Sequence, residues 1–214
     1  MRRVTALVVL VFALLSCSQK SELAGEITIT MRPGDVKPGA DVEVVLIDRT
    51  KFDQPWGDLV TQFKDDYHSA RQELEFASAR SSAQTKVAEA TLNLWAINPA
   101  NPDYRARKDA EFQELNKAGE RVSDSMRRLS SILTDYQRRG LKLIREHQMA
   151  SAKTDSNGEY KLVTQSQGKR YLYAHHRTSD RYFYWFVEVN LQPRTQRLDL
   201  TERNAGWPLS PKDS

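Results

Sequence analysis

The sequence predicts an α+β protein: a seven-stranded antiparallel β-sandwich with a long antiparallel α-helical hairpin, coiled-coil in character, inserted into it. Three observations carry that prediction. Short alternating or apolar runs bounded by turn residues lie at both ends of the chain, over 25–52 and 150–203, which is the signature of strands. Between them, 53–149 is polar and heptad-patterned, the signature of paired helices. That middle run is broken once, at Asn98-Pro99-Ala100-Asn101-Pro102, so the helices fold back on each other.

The strands come first. Ile27, Ile29 and Met31 point one way and Thr28 and Thr30 the other, as in a half-buried strand. Arg32-Pro33-Gly34-Asp35 turns the chain into Val42, Val44 and Leu46, with Val45 and Ile47 behind. A strand apolar on both faces belongs in the middle of a sheet.

Asp53 reads as the N-cap of the first helix, with Pro55 in its first turn. Its seam is Val60, Phe63, Tyr67, Ala70, Leu74, Ala77, Ser81, Gln84, Ala88, Thr91 and Trp95. Pro99 ends that helix by forcing Asn98 out of the α region. Asn101-Pro102-Asp103 then supplies a cap, a Pro at the first helical position and an acid in the first turn. The second seam is Phe112, Leu115, Gly119, Val122, Met126, Leu129, Leu133, Tyr136, Gly140, Leu143 and His147. Folding about the tip pairs Trp95 with Tyr104, Ala88 with Phe112, Ser81 with Gly119, Ala77 with Val122 and Ala70 with Leu129. At ~1.5 Å per residue such an arm would measure ~50 Å. Ser81, Gln84 and Thr91 leave its outer half poorly apolar, so burial there contributes little.

After the arm, Asp155-Ser156-Asn157-Gly158 is a turn, with Asn-Gly favouring a hairpin. Tyr160 and Leu162 form a strand, and Tyr171 to Ala174 another. Tyr182-Phe183-Tyr184-Trp185-Phe186-Val187-Glu188-Val189 reads as a long central strand. Leu198 and Leu200 close the sandwich, and 204–214 is a tail that Trp207 fastens to the body.

At the other end, Arg2 and Arg3 precede an apolar Val4–Leu15, and Leu14-Leu15-Ser16-Cys17 closes it. The apolar run is too short to span a bilayer as a mature helix. This stretch resembles a bacterial lipoprotein signal, which implies a leader over 1–16, acylation of Cys17 and a lipidated tether over 17–24. Cys17 is the only cysteine, so no intrachain disulfide competes for it. Ser18 and Gln19 follow it, and by the same resemblance that implies the outer membrane, facing the periplasm. Several acyl chains on one residue anchor stably where a single chain would not.

Gly25-Glu26-Ile27-Thr28-Ile29, the run Pro38 to Leu46 and above all Lys153-Thr154-Asp155-Ser156-Asn157-Gly158-Glu159-Tyr160-Lys161-Leu162 resemble the transthyretin-like, carboxypeptidase-regulatory-like domains. The resemblance implies a prealbumin-like sandwich and an accessory, binding or structural role. It carries over no catalytic residue. The enzymatic branch of that family ends in Tyr-Arg-Gly-Ser, and this chain ends Pro208-Leu209-Ser210-Pro211-Lys212-Asp213-Ser214.

Composition and candidate sites point the same way. The formal charge of +4 over 214 residues falls to +2 once Arg2 and Arg3 leave with the leader, which is no nucleic-acid footprint. His175 and His176 are neighbours on a strand and face opposite sides, while His68 and His147 lack a carboxylate cluster. All four read as ordinary surface or seam histidines, so no metal and no cofactor is expected. Two surfaces remain as candidates for a ligand or partner. One is the aromatic strip Tyr182, Tyr184 and Phe186; the other is the basic root of the second helix, with Arg138, Arg139 and Lys142. The expectation is a lipid-anchored, non-enzymatic adaptor or scaffold of the cell envelope that meets a protein partner through the arm. The alternative, a module binding glycan or peptide on its aromatic face, requires solvent-exposed Tyr184 and Phe186.

Overall fold

In the computed structural model the described residues are 20–32, 35–179 and 181–209, and they form an α+β chain with nine strands and two long helices. Cys17 and the leader lie outside the described residues, as do Pro33, Gly34 and 210–214. Among the described residues, 20–54 and Leu143–Pro208 make one compact unit, and Pro55–Lys142 with Leu209 another.

In the sheet unit, β1 (Ser21–Glu26), β6 (Glu159–Thr164) and β9 (Thr195–Arg197) form one sheet, ordered β6-β1-β9. A second sheet is ordered β5-β4-β7-β8, from β4 (Glu43–Ile47), β5 (Gln148–Lys153), β7 (Gly168–Arg177) and β8 (Tyr182–Leu191). A hairpin of β2 (Thr28–Arg32) and β3 (Asp35–Pro38) stands apart from both. One buried cluster draws from both larger sheets, with Leu23, Ile27, Val44, Leu46, Leu162, Leu172, Trp185 and Leu200 among its members. Residues on either side of the inserted helices therefore share a single core.

Three differences from the sequence reading in the sheets have plain causes. Nine strands replace the expected seven, partly because Ser21–Ala24 is no tether. The alternation seen at Ile27 and Ile29 extends back through Leu23 to Ser21, both buried, and β1 pairs antiparallel with β6 and parallel with β9. Asp155–Gly158 closes no two-strand hairpin, since β5 and β6 belong to different sheets. The turn is held instead by the Asp155 carboxylate, which accepts from the Asn157 and Glu159 N–H groups at 2.8 and 2.9 Å. The aromatic strand β8 is an edge rather than central. Its Tyr184 carbonyl accepts from the Gly206 N–H at 2.8 Å, so the returning tail shields part of an edge that would otherwise invite pairing. β4 is central as expected, between β5 and β7.

The helices are α1 (Arg49–Ile97) and α2 (Pro102–Glu146). α1 begins four residues before the expected cap. Asp48 takes that role, its carboxylate accepting from the Thr50 N–H at 3.1 Å, while Asp53 pairs with Arg49 at 2.8 Å. Pro55 consequently sits inside the helix. The earlier start seats Phe52, fully buried, beside His147, Tyr171 and Phe186, each at 5.9 Å between ring centroids. α2 starts as read, with the Asn101 side chain accepting from the Asp103 N–H at 2.9 Å. It ends at Glu146, so Gln148 and Met149 belong to β5 and not to the arm.

Every residue of the seam expected on α1, from Val60 to Trp95, is buried or half-buried. On α2 three of the eleven expected seam positions are displaced by one residue. Leu115, Val122, Leu129 and Tyr136 face inward, but Glu111, Ala118 and Ser125 replace Phe112, Gly119 and Met126. The displacement lets the Gln84 amide donate to the Glu111 carboxylate at 2.6 Å, and it sets a small residue, Ala118, in the buried position. Phe112 and Met126 are left 37% and 55% exposed.

Candidate functional site

The aromatic surface of the sheet unit is built by alternation along β8. Phe183 and Trp185 turn into the core, and the Trp185 indole N–H donates to the Thr201 carbonyl at 2.8 Å. Tyr182, Tyr184 and Phe186 face the other way, as that period requires. They do not form a bare strip. Trp207, itself 4% exposed, stacks on Tyr184 at 5.3 Å and meets Tyr173 at 5.5 Å and Phe186 at 6.2 Å. Phe186 also stacks on Tyr171 at 4.8 Å. Tyr184 and Phe186 are half-buried, so Trp207 occupies the face on which a sugar ring or peptide would lie. Burial raises the Tyr184 hydroxyl above the ordinary tyrosine pKa, and Tyr182 adds to that. Tyr182 alone stays open, 57% exposed, with the Arg177 guanidinium 5.1 Å over its ring.

The basic surface belongs to the helical unit. Arg127, Arg138, Arg139, Asp66 and Asp135 line a concavity of about 680 Å³. Its cations are engaged. Arg138 pairs with Asp135, and Arg127 pairs with Asp124 at 3.0 Å. Arg139 donates to the Gln62 side-chain oxygen at 2.9 Å and lies 4.6 Å over the Tyr136 ring. The Tyr136 hydroxyl donates to Asp66 at 2.6 Å, and its pKa is raised, by burial first and by Asp66 second. Arginines committed to carboxylates present little net field to an anion. Lys142, on the same helix, is exposed.

The two sets of site residues expected from sequence thus fall in different units, Tyr182, Tyr184 and Phe186 in one and Arg138, Arg139 and Lys142 in the other. Among the described residues no three His, Asp, Glu or Cys side chains converge as metal ligands. No helix among them is long and apolar enough to cross a membrane.

What sequence reading missed lies on the arm. Nine large apolar side chains are exposed among the described residues, and six of them are on the two helices: Phe76 at 72%, Val87 at 46%, Leu94 at 43%, Ile97 at 81%, Phe112 and Met126. Phe76 also rims a concavity of about 350 Å³ with Glu73, Ala77, Arg80, Ala118 and Arg121. The signal was present in the spacing. Phe76, Val87 and Leu94 each stand one residue ahead of a seam position, and a search for a single seam passes over them.

No protein-family model matches this chain, and no curated protein does. Among solved structures it is similar to the pilus backbone protein RrgB from Streptococcus pneumoniae, at 10% identity, with 81% of this chain covered and a TM-score of 0.27. The chain spans about a third of that protein's length, 35%.

Proposed function

We propose that this protein is a non-enzymatic scaffold of the cell envelope, anchored by lipid on Cys17, in which a prealbumin-like sheet unit carries a helical arm that docks a protein partner. One observation carries the reading: among the described residues the arm holds six of the nine exposed large apolar side chains. Four of the six are on α1, and exposed apolar groups gathered on one element mark a contact surface. The sheet unit, by contrast, caps its own aromatic face with Trp207. The anchor rests on the charged and apolar leader ending at Cys17.

Photo-crosslinking amino acids placed at Phe76, Leu94 or Met126 are expected to yield protein adducts in intact cells, and the same probe at Tyr182 none. Adducts at Tyr182 alone would favour the glycan- or peptide-binding alternative. The anchor is tested by labelling with a fatty-acid analogue, which Cys17→Ala is expected to abolish together with membrane retention.

A further inference from the structure

Along α1, Phe76, Arg80, Ala83, Val87, Ala90, Leu94 and Ile97 recur at steps of four and three, the spacing of a coiled-coil seam. Each of the first six lies one residue ahead of a position in the seam with α2, and therefore about 100° around the helix from it, and Ile97 continues the line to the end of α1. All seven are exposed. The helix thus carries two adjacent stripes, of which α2 fills one.

Charge is distributed to match. Between Ser81 and Ala100 the only charged residues are Lys86 and Glu89, whereas Asn101 to Glu120 on α2 carry nine. A helix that is merely solvated spends charges as α2 does. Depletion of charge beside exposed Val87, Leu94 and Ile97 is the composition of an interface centre. α1 has the character of an inner helix and α2 that of an outer one.

From this we infer that the arm pairs with the arm of a second copy of this chain, α1 against α1 about a two-fold axis, as a four-helix arrangement with the two α2 helices outside. The inference rests on the scaffold reading and names its partner. A two-fold contact must be self-complementary, and this stripe is so when the copies run antiparallel. With the axis beside Ala88, Val87 meets Ala90 of the second copy and Ala83 meets its Leu94, small against large. A parallel pair would set Ala83 against Ala83 and Ala90 against Ala90, small on small, and Leu94 against Leu94, large on large, which fills the contact less evenly.

Sedimentation equilibrium of the full chain in density-matched detergent tests the pairing. The parent is expected at two chain masses. Leu94→Asp and Val87→Asp should lose that species with unchanged helical circular dichroism, because both side chains are exposed in the single chain. Met126→Asp, off the stripe, should keep it. A parent that sediments at one mass throughout, or a pair indifferent to Leu94→Asp, overturns the inference. Crosslinking at position 94 in intact cells separates the two levels of the argument. An adduct of two chains supports pairing; an adduct with another protein overturns pairing and leaves the scaffold reading standing. Adducts at Tyr182 and nowhere on the arm overturn both.

Discussion

Thr154 shows how the turn motif of this chain is spent on structure. Its hydroxyl, 5% exposed, accepts from the Val42 N–H at 2.8 Å and donates to the Gly39 carbonyl at 2.6 Å. Two segments more than a hundred residues apart in sequence are joined there by one side chain. Thr154→Val keeps the shape and strands both partners, so it is expected to cost about 1–3 kcal/mol, measurable by chemical denaturation. Gly158 stands at φ 81°, and a Cβ there would come within 2.6 Å of the Ile27 carbonyl oxygen. Gly158→Ala should therefore cost at least about 1 kcal/mol. Tyr160 donates to the Leu198 carbonyl at 2.6 Å, and burial pushes its pKa far above the ordinary 10.0, with Asp199 adding to that. A hydroxyl that ionises more readily unfolded than folded contributes stability in full below pH 10 and loses it as pH climbs from there. The sheet unit should show an alkaline decline in stability that Tyr160→Phe makes shallower, at a cost of about 1 kcal/mol near neutrality.

At the scale of elements, the arm is governed by a seam that is polar at its middle. Leu129 and Leu133 are half-buried, and replacing both by Asp is expected to unfold the arm while the sheet unit survives. Separate loss of helical and β signals by circular dichroism would show it. The Gln84–Glu111 contact makes an opposite prediction. Gln84→Leu alone leaves a half-buried carboxylate unpaired and should destabilise the arm. Gln84→Leu with Glu111→Leu should stabilise it by about 1 kcal/mol, since apolar replacement of a polar pair is often favourable. These helices were readable in sequence because Pro99 and Asn101 punctuate them and because one period runs through each. The register on α2 was not, for a physical reason. Apolarity favours Phe112 and Met126 inward, while the close seam at Ala118 and the hydrogen bond at Glu111 select the neighbouring positions. The start of α1 was misread for a similar reason: Asp48 and Asp53 both have cap chemistry, and burial of Phe52 decides between them.

For the whole molecule, alternation at Ile27 and Ile29 and the apolar run at Val44 to Ile47 pointed to strands, and both are present. Their grouping into sheets did not follow from pattern, because pairing is set by segments distant in sequence, such as β1 with β9. The aromatic strand illustrates this: its composition suits a central position, yet it lies at an edge, with Trp207 and Gly206 covering what another strand would have covered. The same tail half-covers Tyr184 and Phe186 and leaves the arm as the main apolar ground among the described residues. Hydrogen exchange followed by mass spectrometry tests that conclusion most directly, comparing the chain in a lysate of its own cells with the chain purified and diluted. Slower exchange over 76–97 in the lysate, with β4 and β7 unchanged, is the predicted result. Equal exchange over 76–97 in both states, with β8 slowed instead, would contradict it.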